Sequence, residues 1–185
     1  MAKYDLIGLG NALVDSEFHV TDSFLKKNGF EKGTMHLVDS DEQTNLLNSL
    51  EKEYGKPSLA CGGSATNTIF AASILGSSCS YICKVGNDKN GNFYLNDLSD
   101  AGVNIDHSIK LDSEIGSGTC TVMVSPDAER TMSTCLGVSS DLSASDVAEE
   151  IFSDSKLIYL EGYMMSGDDS YNACLEAIKL AKKKN

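Results

Sequence analysis

The chain has 185 residues, 27 of them Asp or Glu and 15 Lys or Arg, which gives a formal net charge of −12 at pH 7. That charge and the absence of a basic stripe exclude a nucleic-acid partner, because phosphates must be neutralised by Lys and Arg. With 41% hydrophobic and 23% charged residues, the chain can bury a sizeable core and is not broadly disordered. No membrane span or signal peptide is evident, so we expect a cytoplasmic globular protein with no membrane partner.

Helical and strand-like segments alternate along most of the chain. The predicted elements are a strand over 4–10, helices over 40–54 and 67–75, a strand over 80–85, helices over 91–101 and 145–152, a strand over 156–161 and a helix over 168–184. Asp39 or Ser40, followed three residues later by Glu42 and Gln43, predicts a capped start for the helix over 40–54. Such alternation indicates a parallel sheet covered by helices.

The last predicted helix is amphipathic. Its inner face is expected to carry Tyr171, Cys174, Leu175, Ile178 and Ala181. Asp168 and Asp169 are interpreted as acids of the first helical turn, where negative charge is favourable.

Residues 13–38 and 115–135 break the alternation. Both stretches are β-like with polar interleaving, and neither shows a helix between its paired segments. The pattern alone predicts antiparallel excursions from the α/β core.

The stretch Cys-Gly-Gly-Ser-Ala-Thr-Asn over residues 61–67 is the most informative motif. Gly62 and Gly63 allow positive φ and leave bare backbone N–H groups beside a bound molecule. Asn67 is expected to open the following helix, and Gly76 to end it.

This stretch, with Gly76 and Gly86 at the expected distances, resembles the first signature of the PfkB family of carbohydrate and nucleoside kinases. Residues 4–15 resemble the family's first strand and the acidic residue after it. Residues 116–121 resemble the strand that partners the substrate, and residues 126–132 resemble a turn with a Glu-Arg-Thr core. The four matches follow the family's order, and the opening and the Gly-Thr-Cys strand look most like the adenosine kinase branch.

The resemblance implies a ribokinase-like three-layer α/β sandwich with a mainly parallel central sheet, incomplete at the C-terminus, and a small β lid. The implied core comprises residues 1–12, 39–112 and 137–185, and the implied lid comprises residues 13–38 and 113–136. Lid strands pair between subunits in some relatives, so a homodimer through the lid is a further expectation.

The implied activity is ATP- and Mg²⁺-dependent phosphoryl transfer to a hydroxyl of a nucleoside or sugar. Such transfer requires that the phosphoryl acceptor be held in line and that developing negative charge be met by donors. The resemblance puts Asp15 on the sugar diol and Arg130, whose rigid donor fork suits phosphate oxygens, at the transferred group. The other implied substrate contacts are Asn11, Leu13, Gly62, Gly63, Asn67, Cys120 and Met164.

From the residues alone, other roles stay open. Asp15 also suits a solvated turn acid, Asn67 a helix cap and Arg130 a surface position in a hairpin. No metal site is predicted, because the six cysteines contain no Cys-x-x-Cys pair and the three histidines are dispersed. Asp88 and its neighbours only imitate a calcium loop, since the glycine is at the wrong place.

The family's Gly-Ala-Gly-Asp motif, which supplies the catalytic base, is not found. Ser-Gly-Asp-Asp at 166–169 resembles it only superficially. We therefore interpret the chain as the N-terminal, acceptor-binding portion of a kinase, inactive by itself, with a non-catalytic sugar- or nucleoside-binding module as the alternative. The choice between adenosine and a free sugar stays open.

Overall fold

The computed structural model describes residues 3–153 and 155–183. The strands within them are β1 (Tyr4–Leu9), β2 (Leu13–His19), β3 (Met35–Leu37), β4 (Ser58–Gly62), β5 (Cys79–Ile82), β6 (Lys84–Gly86), β7 (Ile109–Leu111), β8 (Gly118–Val124), β9 (Arg130–Cys135) and β10 (Ser155–Leu160). The α-helices are α1 (Asp22–Lys27), α2 (Ser40–Tyr54), α3 (Ser64–Ile74), α4 (Lys89–Asp100), α5 (Glu149–Ser153) and α6 (Asp168–Lys182). No helix among these residues is long and apolar enough to cross a membrane.

A parallel sheet in the order β10-β1-β5 forms the centre of the fold. Side chains of β1 alternate between its faces. Ile7 and Leu9 pack with the buried residues of α5 and α6. Gly8 faces the other side, where a Cβ would overlap Ile69 of α3. Helices thus cover both faces, which confirms the predicted α/β class and its three layers.

A second, mixed sheet has the order β3-β9-β8-β2-β4. One of its faces packs against α1 and α2 through a cluster of Phe18, Val20, Phe24, Leu25, Leu50 and Met123. Gln43 of α2 is buried, donates to the Thr121 hydroxyl at 3.0 Å and accepts from the Ser133 hydroxyl at 3.1 Å. The opposite face, called here the open face, carries alternate residues that α2 does not cover. They are Leu13, Asp15, Glu17, Cys120, Arg130 and Thr134.

Several elements differ from the sequence predictions. Residues 13–38 contain a helix, α1, whose Thr21 cap accepts from the Phe24 N–H. β4 and α2 were both predicted with the core over 39–112. In the structure β4 is an edge strand of the second sheet, and α2 packs against that sheet. The strand predicted over 80–85 is two strands, because β5 pairs with β1 while β6 pairs with β7.

Two helix starts were also misplaced. α3 begins at Ser64, three residues before Asn67. The helix predicted over 145–152 is a 3-10 turn, Ala144–Asp146, followed by α5.

The predicted inner face of α6 is wrong in part. The helix buries Ser170, Ala173, Cys174, Ala177 and Leu180. Tyr171 is 43% exposed and Leu175 is 45% exposed, so a second apolar stripe lies outside. Asp168 and Asp169 lie in the first turn, as predicted, while the predicted end at Lys184 lies outside the described residues.

Candidate functional site

The candidate site lies where the chain passes between the two sheets. Residues 10–12 connect β1 to β2. They pack against two glycines from other parts of the chain, Gly63 after β4 and Gly118 at the start of β8. Gly63, with φ +99°, lies so close that a Cβ would be 2.6 Å from the Asn11 carbonyl oxygen. A Cβ at Gly118 would lie 2.5 Å from the Ala12 carbonyl oxygen. Only glycine allows both approaches, so these motif glycines shape the junction.

Asp15 is the half-buried carboxylate of this junction. It lies opposite Ala60 of β4 and Cys120 of β8. A Cβ on Gly62 would overlap the Asp15 carboxylate, so the glycine makes room for the acid. Burial raises the pKa of Asp15 to about 6, with the Arg130 charge opposing the shift and the Glu17 charge adding to it. None of the described residues donates a hydrogen bond to the Asp15 carboxylate.

Cys120 lies beside Asp15 on the open face and is buried. Its sulfur accepts a hydrogen bond from the Thr134 hydroxyl at 3.3 Å. Burial raises the pKa of the thiol to about 11, so it stays protonated at neutral pH. A neutral thiol is a packing group rather than a nucleophile.

Asn11, Leu13 and Asn67 flank the junction. Asn11 is buried, Leu13 is half-buried and opens β2 opposite Gly62, and Asn67 is exposed. The Asn67 N–H donates to the Gly63 carbonyl oxygen at 3.0 Å, one turn into α3. Asn67 therefore does not cap the helix, and its side chain is left for solvent or a ligand.

Arg130 lies on the same face at the first position of β9, opposite Val124. It is exposed and follows a hairpin held by the Ser125 hydroxyl, which donates to the Glu129 carbonyl oxygen at 3.1 Å. The strand rise places the Arg130 Cα about 13 Å along β9 from that of Thr134, the residue level with Asp15. The Arg130 charge still acts to lower the pKa of Asp15, against the effect of burial.

Met164 does not belong to this group. The structure places it fully buried among residues of β1, α5 and α6. Its sulfur lies 3.9 Å from the Cys174 sulfur, and its carbonyl oxygen accepts from the Ser170 hydroxyl at 2.7 Å. The prediction that Met164 contacts a substrate is corrected, because it is a core residue on the α6 side of the parallel sheet.

Glu161 is the main residue that the sequence analysis missed. It follows β10 and is 3% exposed. Its carboxylate accepts from the Asn11 N–H at 2.7 Å, the Ala65 N–H at 3.0 Å and the Ser64 hydroxyl at 2.9 Å. Gly63 gives α3 no side-chain cap, so Glu161 takes that role from elsewhere in the chain. An acid at the carboxyl end of a parallel strand is a signal that could have indicated this position.

Asp88 has a structural role at the start of α4. It caps α4 through the Gly91 N–H at 2.8 Å and accepts from the Ser117 N–H at 2.7 Å. Burial acts to raise its pKa, but these N–H donors outweigh it and hold the pKa below the usual value. Within residues 3–153 and 155–183 no three His, Cys, Asp or Glu side chains gather as a metal cage.

A half-buried carboxylate thus lies beside a glycine pair, between a helix-covered three-stranded parallel sheet and a five-stranded mixed sheet, an arrangement typical of a sugar- or nucleoside-kinase fold. The comparisons with known proteins agree. The chain belongs to the pfkB family of carbohydrate kinases, whose family model matches residues 34–185.

Three relatives illustrate the match. The chain is 24% identical to the guanosine-inosine kinase of Escherichia coli K12 over 97% of this chain and 43% of that protein. It is 29% identical to the adenosine kinase of Saccharomyces cerevisiae over 87% of this chain and 48% of that protein. The crystal structure of adenosine kinase from Sinorhizobium meliloti superposes with a TM-score of 0.89 at 34% identity, covering 99% of this chain and 54% of that chain. The chain thus spans about half the length of these relatives.

Proposed function

We propose that this chain forms the phosphoryl-acceptor side of an ATP-dependent kinase that phosphorylates a hydroxyl of a nucleoside or sugar, on the adenosine kinase branch of the family. The observation that carries the proposal is the Asp15 carboxylate, half-buried on the open face with no hydrogen-bond donor from the described residues. Burying such a group without a partner is costly, so it is typical of a site that a ligand completes.

The proposed contacts follow from the geometry. Asp15 accepts hydrogen bonds from two neighbouring hydroxyls of the ligand, and Gly62 leaves the space that lets the carboxylate face them. Gly63, which is half-buried, stands at the N-terminus of α3 and Asn67, which is exposed, lies one turn further on; the Gly63 N–H and the Asn67 side-chain amide are the proposed donors. Leu13 and the neutral Cys120 give the apolar wall beside the acid.

Arg130 is proposed as the contact for phosphate charge. Arg130 shares the open face with Asp15 and stands four residues before Thr134, the residue level with Asp15, so its donor fork suits phosphate charge on another part of the same bound molecule.

ATP and Mg²⁺ are proposed as cofactors because the chain belongs to the pfkB family of kinases. Among the described residues no three His, Cys, Asp or Glu side chains are grouped so that they could hold the metal ion. Magnesium bound with nucleotide phosphates needs only one or two protein carboxylates. The residues of this chain are proposed to bind and orient the hydroxyl that is phosphorylated.

Acceptor titrations followed by calorimetry, with a coupled ADP-release assay in parallel, test the proposal. Adenosine, ribose and fructose are the acceptors. Asp15→Asn should weaken acceptor binding by at least tenfold, while Glu17→Gln, two residues along the same face, should leave it within twofold. Equal affinity of both variants would contradict the role of Asp15. Binding without ADP release is the result expected of an acceptor-binding portion that is inactive by itself, and ADP release with any acceptor would contradict that expectation.

A homodimer through the strands of the second sheet remains a prediction. Sedimentation equilibrium of the purified chain tests it directly, and a mass equal to one chain at all concentrations would contradict it.

A further inference from the structure

Three buried hydroxyl groups meet beneath the candidate site. Thr66 of α3, Tyr81 of β5 and Tyr94 of α4 are each 0% exposed. The Thr66 hydroxyl is hydrogen-bonded to the Tyr81 hydroxyl at 3.0 Å and to the Tyr94 hydroxyl, so the three groups form one chain that ends at Tyr94. Burial raises the pKa of both tyrosines well above the usual value, so both keep their protons. We call these three residues the hydroxyl cluster.

The hydroxyl cluster touches the backbone of both loops that form the junction. The Tyr94 hydroxyl donates to the Gly62 carbonyl oxygen at 3.5 Å. A Cβ on Gly10 would lie 2.7 Å from the Tyr81 hydroxyl oxygen, and a Cβ on Gly63 would lie 3.1 Å from the Thr66 hydroxyl oxygen. The loops after β1 and β4 therefore rest on the same buried polar group.

This contact orients one peptide of the candidate site. The described part of the chain contains no cis peptide bond, so the Gly62–Gly63 peptide is trans and its C=O and N–H point in opposite directions. Since the Gly62 carbonyl is directed at Tyr94 in the core, the Gly63 N–H is directed away from the core. No acceptor for the Gly63 N–H appears among the backbone hydrogen bonds of the described residues.

We propose that Tyr94, supported by Thr66 and Tyr81, is a positioning residue for ligand binding at the junction. It fixes the Gly62–Gly63 peptide so that the Gly63 N–H and the Asp15 carboxylate present a donor and an acceptor to the same ligand. This inference rests on the proposed function, in which that ligand is the phosphoryl acceptor. A cluster that only satisfies buried polar groups would change stability and leave affinity alone.

Tyr94→Phe tests the inference, because it keeps the ring and removes only the hydroxyl. Losing one neutral hydrogen bond that holds the peptide should weaken adenosine binding to the 185-residue chain about three- to tenfold. Tyr4→Phe is the matched control, since its hydroxyl is buried but has no partner among the described residues. Calorimetric titration with adenosine should give the control the affinity of the unmodified chain.

A second pair of variants separates positioning from packing. Thr66→Val removes the central hydroxyl at nearly constant shape, whereas Thr66→Ser keeps it. Affinity should fall in Thr66→Val and recover in Thr66→Ser, with all titrations made below the onset of unfolding. Unchanged affinity in both Tyr94→Phe and Thr66→Val, whatever happens to the melting temperature, would overturn the inference.

The orientation of the peptide is measurable without any ligand. The amide resonance of Gly63 should shift in Tyr94→Phe and stay in place in Tyr4→Phe. If the unmodified chain binds neither adenosine nor ribose, the proposed function fails, and this resonance still decides the positioning role. An unmoved Gly63 amide in Tyr94→Phe would refute it.

Discussion

Replacement of Glu161 by Gln is the most direct test of how the junction is built. One carboxylate oxygen accepts from the Asn11 N–H, and the other accepts from the Ala65 N–H and the Ser64 hydroxyl. An amide offers one oxygen and one NH₂ group, so whichever way it turns, the NH₂ faces a backbone N–H. One buried backbone donor then loses its acceptor.

The expected cost follows from these contacts. An unsatisfied buried N–H costs about 1–3 kcal/mol, and the loss of negative charge at the start of α3 adds about 0.3–1 kcal/mol. The free energy of unfolding should therefore fall by about 1–4 kcal/mol. For a chain of this length each kcal/mol lowers the melting temperature by about 2–4 °C, so a decrease of about 3–16 °C is expected.

Urea unfolding followed by circular dichroism measures this change. Glu149→Gln is the control, because Glu149 forms an exposed ion pair with Lys183 at 3.4 Å, of a kind that contributes little. Backbone hydrogen exchange should show faster exchange at Asn11 and Ala65 in Glu161→Gln. A stability equal to that of the control would refute the view that Glu161 holds the junction together.

Three further predictions concern the site and the core. The folded-state pKa of Asp15 is raised to about 6, so protonated Asp15 favours the folded state. This stabilisation is complete below the unfolded-state pKa of 3.8 and is lost as pH rises through 6. Asp15→Asn, which stays neutral, should therefore raise the melting temperature at pH 7.5 more than at pH 5. Gly62→Ala should cost about 1–3 kcal/mol by overlap with the Asp15 carboxylate, a cost that Asp15→Ala should relieve in the double variant, while Gly162→Ala, at a position with open space, should cost little. Lys84→Met should lower the free energy of unfolding by about 3 kcal/mol, because it leaves the mostly buried Asp146 without its cationic partner at 2.7 Å. Lys32→Met, which removes exposed ion pairs with Asp22 and Asp127, should have a much smaller effect in the same urea assay.

The sequence was informative where a local pattern is tied to a local geometry. The capping box at Asp39 and Glu42 is present, and it starts α2 where the spacing predicted. The glycine pair marked a real close approach, since Gly63 has positive φ and Gly62 lies against the Asp15 carboxylate. In each case the cause lies within a few residues or in backbone freedom that only glycine has.

The sequence was uninformative where the partner is distant along the chain. α3 was predicted to start at Asn67, which precedes the apolar helical run and suits a helix cap, whereas the group that caps the helix is Glu161, 96 residues beyond Ala65. Met164 was assigned to a substrate by resemblance, although an apolar residue after a parallel strand packs equally well under a helix. Nothing local distinguishes these alternatives.

The error in α6 has the same origin. The helix carries two apolar stripes, and periodicity alone sums them into one broad face. Only the packed structure shows that Cys174 and Ala177 point inward while Tyr171 and Leu175 do not.

The parallel sheet is asymmetric at its two edges. At β5 the Ser80–Asn104 bridge continues the pairing, whereas β10 pairs only with β1 among the described residues. Leu157 on β10 is 65% exposed, next to a row of backbone groups that could accept another strand. Among the described residues β10 is therefore the edge strand with no further partner, and a strand added there would pair through main-chain hydrogen bonds, which depend little on the added sequence. Protein concentration, and any tag or fusion placed beside β10, are therefore variables that experiments on this chain need to control.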